Sequence, residues 1–441
     1  MRISSTMMSN NYLKQLNGTY EQYSKLMEQA DGSKLHRASD NAVGYSKYLR
    51  YQNNQISNEQ YQSNVSTASS WMKNADAALV NVTDLLQTFK AKVEQGSNST
   101  NNESDMKDIA KELLANVQEQ VADLNTQIGD RFLFAGQKDT TMPFEISAGK
   151  MNRGDTFTLD EKQSAFFSGA TGWGAENTTV KQMLKLNGDD GNSYYMNVNT
   201  GDVYTEDFVK NGYKNEDKFD PAKQRVGNIT AITDPPTAYK VSDHFDQYGV
   251  IKTDAGVGTN AKYNVTVDGK QVNLTLSTTK QYIVKYAGDD KYISMVKKNG
   301  GVDKATDTVN VTGQDINGCD LFDVGNDPHS GTARLNQLLY TVAKLDGADY
   351  KWAGEQGMTI ADSAHATVLG AQTKMAARQQ AYNSSSSMLV TQNESITSDI
   401  SDVSSTDVAQ LATKLMEYQT IYSLSLSVGS KILPGTLADY L

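Results

Sequence analysis

One cysteine, Cys319, in 441 residues excludes an intrachain disulfide. A lone thiol of this kind reads as a small buried hydrophobe rather than a nucleophile. Proline is nearly as scarce: five of the six lie within 143–328, and residues 1–142 and 329–433 have none. Helices can run through both ends without a ring to break them. No apolar run approaches the ~18 residues that cross a bilayer, so no membrane insertion is expected. Met1–Met8 holds Arg2 but no continuous apolar core behind it, and so does not read as a cleavable secretory signal. An excess of basic residues is also missing. Acidic residues number 52 against 41 basic, a formal charge of −11, and a chain without a basic run repels phosphate backbones. Nucleic acid is therefore not an expected partner. Hydrophobic residues make up 38% and the mean hydropathy is −0.55. That is lean for one compact globule and suits an elongated chain of two to four domains.

The groups that carry chemistry are missing too. The four histidines, His36, His244, His329 and His365, stand apart without metal-ligand spacing. No phosphate-cradling glycine loop, dinucleotide fingerprint, nucleophile elbow or zinc-binding His-Glu-x-x-His occurs. The acidic stretches Gly188-Asp189-Asp190-Gly191 and Gly288-Asp289-Asp290 lack the order of a calcium loop and read as turns. Arg153-Gly154-Asp155 spells an adhesion tripeptide, read here as a loop. Asn228 and Asn310 head Asn-x-Ser/Thr triplets in an Asn- and Thr-rich chain. The expectation is no catalytic site, no cofactor, no metal and no enzymatic activity.

What is present is helical periodicity at both ends. Leu13, Leu16, Tyr20, Tyr23 and Met27 step by three and four along a narrow seam that stops at Asp31-Gly32-Ser33. Ser39 or Asp40 is placed to cap a second helix over about 41–94, roughly 80 Å at 1.5 Å per residue. Its seam runs from Val65 through Ala68, Met72, Leu79, Val82, Leu86 and Phe89 to Val93, ending at Gly96. Met106 to Ile128 predicts a third helix. Near Leu335, Leu338, Val342 and Leu345 the spacing resumes and stops at Asp346-Gly347. Thr359 with Asp362 has capping-box spacing. Val368, Ala371, Met375, Tyr382, Leu389, Ile396 and Val403 then continue the seam, and Val408, Leu411, Leu415, Tyr418 and Tyr422 extend it. Ser384–Ser387 and Ser404-Ser405 are the candidate breaks.

The middle alternates with period two. Tyr263–Val267, Asp268-Gly269 and Val272–Leu276 predict a hairpin with a type I′ turn. Ser193 to Tyr204, turning at Asn199-Thr200-Gly201-Asp202, predicts another, and Gln281–Tyr286 with Lys291–Val296 a third. Asp234-Pro235-Pro236 reads as a joint between two β subdomains.

The fold class expected is α+β: an elongated helical bundle or coiled coil formed by the N- and C-terminal segments, with an inserted β-rich domain. Residues 1–35 with 410–441 would form a terminal coiled-coil assembly region, and 36–144 with 330–409 a helical rod. Residues 145–329 would be a β-rich outer domain, removable because the helical seams lie outside it.

Two stretches carry a family resemblance. Lys34 to Gly44, with Ala38-Ser39-Asp40-Asn41-Ala42 at its centre, resembles the turn that opens the long helix of bacterial flagellins. Arg131, Phe132, Phe134 and Gly136, followed by Pro143 and Phe144, resemble the segment with which the hook-associated protein 3 branch leaves its third helix. The resemblance implies a non-catalytic subunit joining flagellar hook and filament. It would be exported unfolded by the flagellar type III route to the cell exterior. Its implied partners are hook-associated protein 1, flagellin, further copies of itself in a ring, and an export chaperone on the C-terminal segment. A flagellin is the alternative, and a surface adhesin a more distant one. The assembly seam would be Leu13, Leu16, Tyr20, Tyr23 and Met27 with Val408, Leu411, Leu415, Tyr418 and Tyr422.

Overall fold

The computed structural model describes residues 5–39, 41–169, 180–215, 220–229, 241–252, 262–294, 308–318, 320–322 and 331–432. Cys319, His329, Asp234-Pro235-Pro236, Pro328 and residues 433–441 lie outside the described residues. The α+β class holds: long helices at both ends and strands in the middle. Contacts divide the described chain into two compact units, one of residues 5–66 and 383–432, the other of 67–294 and 308–382. The division falls inside two long helices rather than at the ends of the proline-bearing segment.

In the first unit, α1 is Ser5–Glu28, extended by a 3-10 turn and closed by Gly32 at φ 95. Glycine tolerates that left-handed backbone, which makes it a natural stop. Helix α2, Ala42–Gly96, begins here and continues into the second unit. Its cap is Asn41, whose Oδ1 accepts from the Gly44 N–H at 2.9 Å, one residue beyond the two candidates read from sequence. Its expected seam is real: Met72, Leu79, Val82, Leu86, Phe89 and Val93 are fully buried in the second unit.

Helix α3, Glu103–Leu124, is closed at its start by a capping box between Asn102 and Asp105. It ends earlier than its apolar pattern suggests. Ile128 lies instead in β1, Gln127–Ile128, paired with β2, Arg131–Phe132. Next come β3 (Phe144–Ile146), β4 (Met151–Gly154), β5 (Thr156–Thr158) and α4 (Glu161–Gly169). They are followed by β6 (Gln182–Gly188), β7 (Ser193–Met196), β8 (Asp202–Thr205), α5 (Glu206–Lys210), α6 (Pro221–Gln224) and β9 (Gly227–Asn228). Then come α7 (Val241–His244), β10 (Lys262–Val267), β11 (Lys270–Leu276), β12 (Thr278–Gln281), β13 (Val284–Tyr286) and α8 (Gly313–Asn317).

Seven strands form one antiparallel sheet in the order β10-β11-β6-β7-β8-β9, with β5 also on β6. Two of the three expected hairpins are present. β10 and β11 turn at Asp268 (φ 48) and Gly269 (φ 77), the type I′ geometry. β7 and β8 pair Tyr195 with Tyr204 and turn at Gly201. The third is replaced: β13 pairs with β3, Tyr286 opposite Phe144, and β12 with β4. The described part of the other expected strand, Lys291–Ser294, makes only an isolated bridge, Ser294 to Thr308. A short apolar run shows that a strand exists but not which strand it joins. The sheet's core holds Leu184, Met196, Val203, Phe245, Leu274 and Phe322, so the middle has an interior of its own.

Helix α9, Ala333–Asp346, packs on α3 and reaches β12. A short α10, Tyr350–Trp352, is capped by Asp349 and runs through a π-helical turn into α11, Met358–Ser404. Thr359 caps nothing: its hydroxyl bonds the Glu355 carbonyl within the turn, while Asp362 pairs with Lys90 at 2.5 Å. Ser384–Ser387 does not break α11, whereas Ser404-Ser405 does, and α12 follows as Val408–Ile432.

The middle segment is tied to the helices of its unit by buried polar contacts. Gln356 Oε1 accepts from the Thr158 N–H at 2.8 Å, Arg378 donates to the Asn310 carbonyl at 3.0 Å, and Asn336 clasps Val284. These contacts weigh against the expectation that the segment could be cut away: its removal would take their partners from Asn336 on α9 and Gln356 in the turn before α11.

Candidate assembly site

Helices α1 and α12 pack on each other within the first unit. The covered stripe on α12 is Leu411, Leu415, Tyr418, Tyr422, Ser425 and Gly429, stepping four and three as a coiled-coil face requires. Leu411 is 6% exposed; Val408 is 68% exposed and lies off the stripe. On α1 the half-buried stripe is Tyr12, Leu16, Thr19, Tyr23 and Leu26. Tyr12 donates its hydroxyl to the Ser425 carbonyl at 2.7 Å, and a Cβ at Gly429 would strike that hydroxyl. The rings of Tyr20 and Tyr422 stand 5.7 Å apart.

Much apolar surface stays uncovered. Leu13, Tyr20 and Met27, seven residues apart along α1, are 41%, 55% and 52% exposed. Met416, Leu424, Leu426 and Val428 of α12 are exposed as well. Apolar residues thus lie off the covered stripe as well as on it, most densely on α12.

The two connections beside this pair meet. The Lys34 N–H donates to the Ser404 carbonyl at 2.7 Å and the Thr406 N–H to the Gly32 carbonyl at 3.0 Å, around a bridge of Ser33 with Ser405. Lys34 Nζ adds a bond to the Asp402 carbonyl.

The Arg131–Phe144 motif faces inward, in the second unit. Leu133, Phe134 and Ala135 are buried. Gly136 has φ 70, and a Cβ there would overlap the Asp289 carbonyl. Asp289 donates its N–H to the Ala135 carbonyl at 3.0 Å and accepts from the Gln137 N–H at 2.6 Å. The Tyr286 hydroxyl donates to the Phe134 carbonyl at 2.9 Å, and its ring lies 5.0 Å from that of Phe144. The Pro143 carbonyl accepts from Ala287. Arg131 is exposed, 3.5 Å from Asp139. The motif thus anchors the β13 region against the end of α3.

Two asparagines absent from the sequence reading complete this anchor. Asn125 accepts from the Phe144 N–H at 3.0 Å and donates to its carbonyl at 2.8 Å. Asn336 does the same to Val284, at 2.8 and 3.2 Å. Each amide stands in for a missing neighbour strand on one edge of the β3–β13 ribbon. The available signal was an isolated Asn between Leu335 and Leu338, on a face otherwise apolar.

Other candidates are spent internally. Arg153-Gly154-Asp155 is not a loop but strand β4 and its exit, with Arg153 and Asp155 buried. Asp189 accepts two bonds from Asn273, and Asp190 one from the Tyr194 hydroxyl at 2.7 Å. These bonds, that from the Asn273 side chain first for Asp189 and that from Tyr194 first for Asp190, hold both carboxyls below their usual range. Asn310 is fully buried and Asn228 bonds Asp202. Among the described residues no group of three His, Cys, Asp or Glu side chains could hold a metal, and no helix is long and apolar enough to cross a membrane.

The terminal helices α1 and α12 thus pair along one stripe, and α1 is followed in sequence by the long capped helix α2. Residues 3–139 match the bacterial flagellin N-terminal helical region. The chain is 26% identical over 302 residues to a flagellin of Salmonella montevideo, covering 59% of this chain and 58% of that protein. It is 26% identical over 168 residues to flagellar hook-associated protein 3 of Salmonella typhimurium, 37% of this chain and 53% of that one. The chain thus spans rather more than half the length of these relatives. Among solved structures, it is similar to a flagellar hook-associated protein from Vibrio parahaemolyticus, at 14% identity and TM-score 0.41 over 83% of this chain and all of that one. The flagellar junction protein FlgL of Legionella pneumophila is similar at 12% identity and TM-score 0.35, over 76% and 98%.

Proposed function

We propose that this chain is a structural, non-catalytic subunit of the bacterial flagellum, placed at the junction of hook and filament. The observation that carries the reading is the α1–α12 pair, closed on one stripe and apolar on others, in a chain whose N-terminal segment is flagellin-type. Such a pair gains little from its own contact and much from neighbours. The Arg131–Phe144 motif and the likeness to hook-associated protein 3 favour the junction over the filament. On this reading copies associate in a ring between hook-associated protein 1 and flagellin, through Leu13, Leu16, Tyr20, Tyr23 and Met27 with Val408, Leu411, Leu415, Tyr418 and Tyr422. Export follows the flagellar type III route, with a chaperone covering the C-terminal segment until assembly.

The flagellin likeness, which covers more of the chain, favours a second reading as a filament subunit. Seeding purified hooks separates the two under the electron microscope. A junction subunit caps hooks and stays short, whereas long filaments from this protein alone would assign it to the filament. A deletion strain that still swims with full filaments would refute both.

A further inference from the structure

Methionine is divided between the two units by exposure. In the second unit Met72, Met106, Met183, Met196 and Met375 are buried and Met151 and Met358 half-buried, so that Met142 alone of its described methionines is exposed. In the first unit Met7, Met8, Met27, Met388 and Met416 are exposed, and among the described residues that unit has no buried methionine. Two of them border the α1–α12 contact. Met27 is the residue after half-buried Leu26 and lies seven beyond Tyr20. Met416 follows Leu415 of the covered stripe and is 63% exposed. It shares a shallow hollow on α12 with Gln419, Thr420, Ser423 and Leu424. The Thr420 hydroxyl donates to the Met416 carbonyl at 2.7 Å and the Ser423 hydroxyl to the Gln419 carbonyl at 2.9 Å, so both are turned back onto the helix. With these hydroxyls spent, the apolar surface of the hollow is the Met416 thioether and Leu424.

We propose that Met27 and Met416 are sites of reversible oxidation, at which a hydroperoxide turns the apolar border of the helix pair polar and blocks assembly. The inference rests on the assembly role proposed above. The sulfur lone pair takes one peroxide oxygen as the O–O bond breaks, and water or an alcohol leaves; sulfur is oxidised to the sulfoxide and the peroxide is reduced. The step needs only access to the thioether, so exposure decides which methionines react first. A sulfoxide is polar and hydrated, and covering it with a neighbour's apolar side chain costs its hydrogen bonds to water. Methionine suits a contact with an irregular partner because its unbranched, polarisable chain adapts to the surface it meets, and oxidation takes that away. The buried methionines of the second unit are spared, so the chain loses assembly without losing its fold. Once neighbours cover the border the same thioethers are shielded, which confines the oxidation to chains not yet assembled.

The test uses the full chain, exposed to dilute hydrogen peroxide and cleared of it with catalase before purified hooks are added. Peptide mass spectrometry should find the sulfoxide at Met27 and Met416 well before Met72, Met183, Met196 and Met375, with the circular dichroism unchanged. Under the electron microscope the treated chain should cap or extend hooks about tenfold less often than the untreated one, because each contact now covers an unpaired polar group. Methionine sulfoxide reductases should restore assembly, and the chain with Met27→Leu and Met416→Leu, close in volume and inert to peroxide, should withstand the treatment. A chain carrying both sulfoxides that assembles as the untreated one does overturns the inference, as does a leucine variant that loses assembly to peroxide just as fully. If the variant itself does not assemble, reductase treatment decides, and no recovery overturns the inference. Failure of the untreated, unaltered chain to assemble on hooks at all refutes the assembly reading, and this inference with it.

Discussion

Replacing Asn336 with alanine removes a contact that no strand can restore. The Val284 N–H and carbonyl both face its amide, and Val284 is fully buried, so water cannot take the vacated places. Each buried backbone group left unpaired costs about 1–3 kcal/mol. The two together predict a loss of roughly 2–6 kcal/mol, a large fraction of the ~5–15 kcal/mol typical of a folded domain. Asn125 makes the matching clasp on Phe144 but is half-exposed, so solvent can substitute there. Asn125→Ala should therefore cost less, on the order of 1 kcal/mol. Urea unfolding measures both, followed by circular dichroism and by fluorescence of the three tryptophans, Trp352 among them. Trp352 is a suitable reporter because its ring meets Tyr340, one turn beyond Asn336, edge-on at 4.9 Å. Hydrogen exchange adds a local reading: the Val284 amide should lose protection in Asn336→Ala before its neighbours do. If Asn336→Ala unfolds within ~0.5 kcal/mol of the unaltered protein, or costs less than Asn125→Ala, the asparagines are not acting as surrogate strands.

Four other outcomes follow from the same geometry. Gly136→Ala puts a side chain at φ 70 against the Asp289 backbone and should cost more than about 2 kcal/mol in thermal unfolding. Burial lowers the pKa of His244, with Asp243 pulling the other way, so the unfolded chain takes up its proton first as pH falls. Stability should then be full above about pH 6.5 and decline below it, and His244→Gln should flatten that slope in chemical denaturation at a series of pH values. Leu411→Asp buries an unpaired charge and should abolish junction formation in a complemented deletion strain, whereas Val408→Asp, on exposed surface, should be milder unless a neighbour covers it. Excising 147–325 behind a Gly/Ser bridge should remove the cooperative melting transition, because Asn336 and Gln356 lose the strands they bond.

Legibility followed the range of the interactions. Seams from Met72 to Val93 and from Ile109 to Leu124 were readable because burial on one helix face writes a local period. The Asp268-Gly269 hairpin was readable because its turn dictates its residues. The partner of Gln281–Tyr286 was not, since Phe144–Ile146 lies far away in sequence and an alternating run is compatible with many neighbours. The tripeptide at Arg153 was misread for a similar reason. Charge suggests a surface, and only the distant Asp320 makes its burial tolerable. On α1 the period was right, while the covered stripe is set by α12 and runs one position to the side of Leu13 and Tyr20.

The bridge of Ser33 with Ser405 has a mechanical consequence. A helix joined to the rest of its unit by one linker can swivel about that linker as about a single rope. Here two linkers cross side by side, laced by main-chain bonds at Gly32, Lys34, Ser404 and Thr406. Twisting the α1–α12 pair about its own axis must shear that lacing, whereas bending across it need not. The joint is therefore torsionally stiff and flexurally compliant, and a torque applied to one of the two helices is handed on to both.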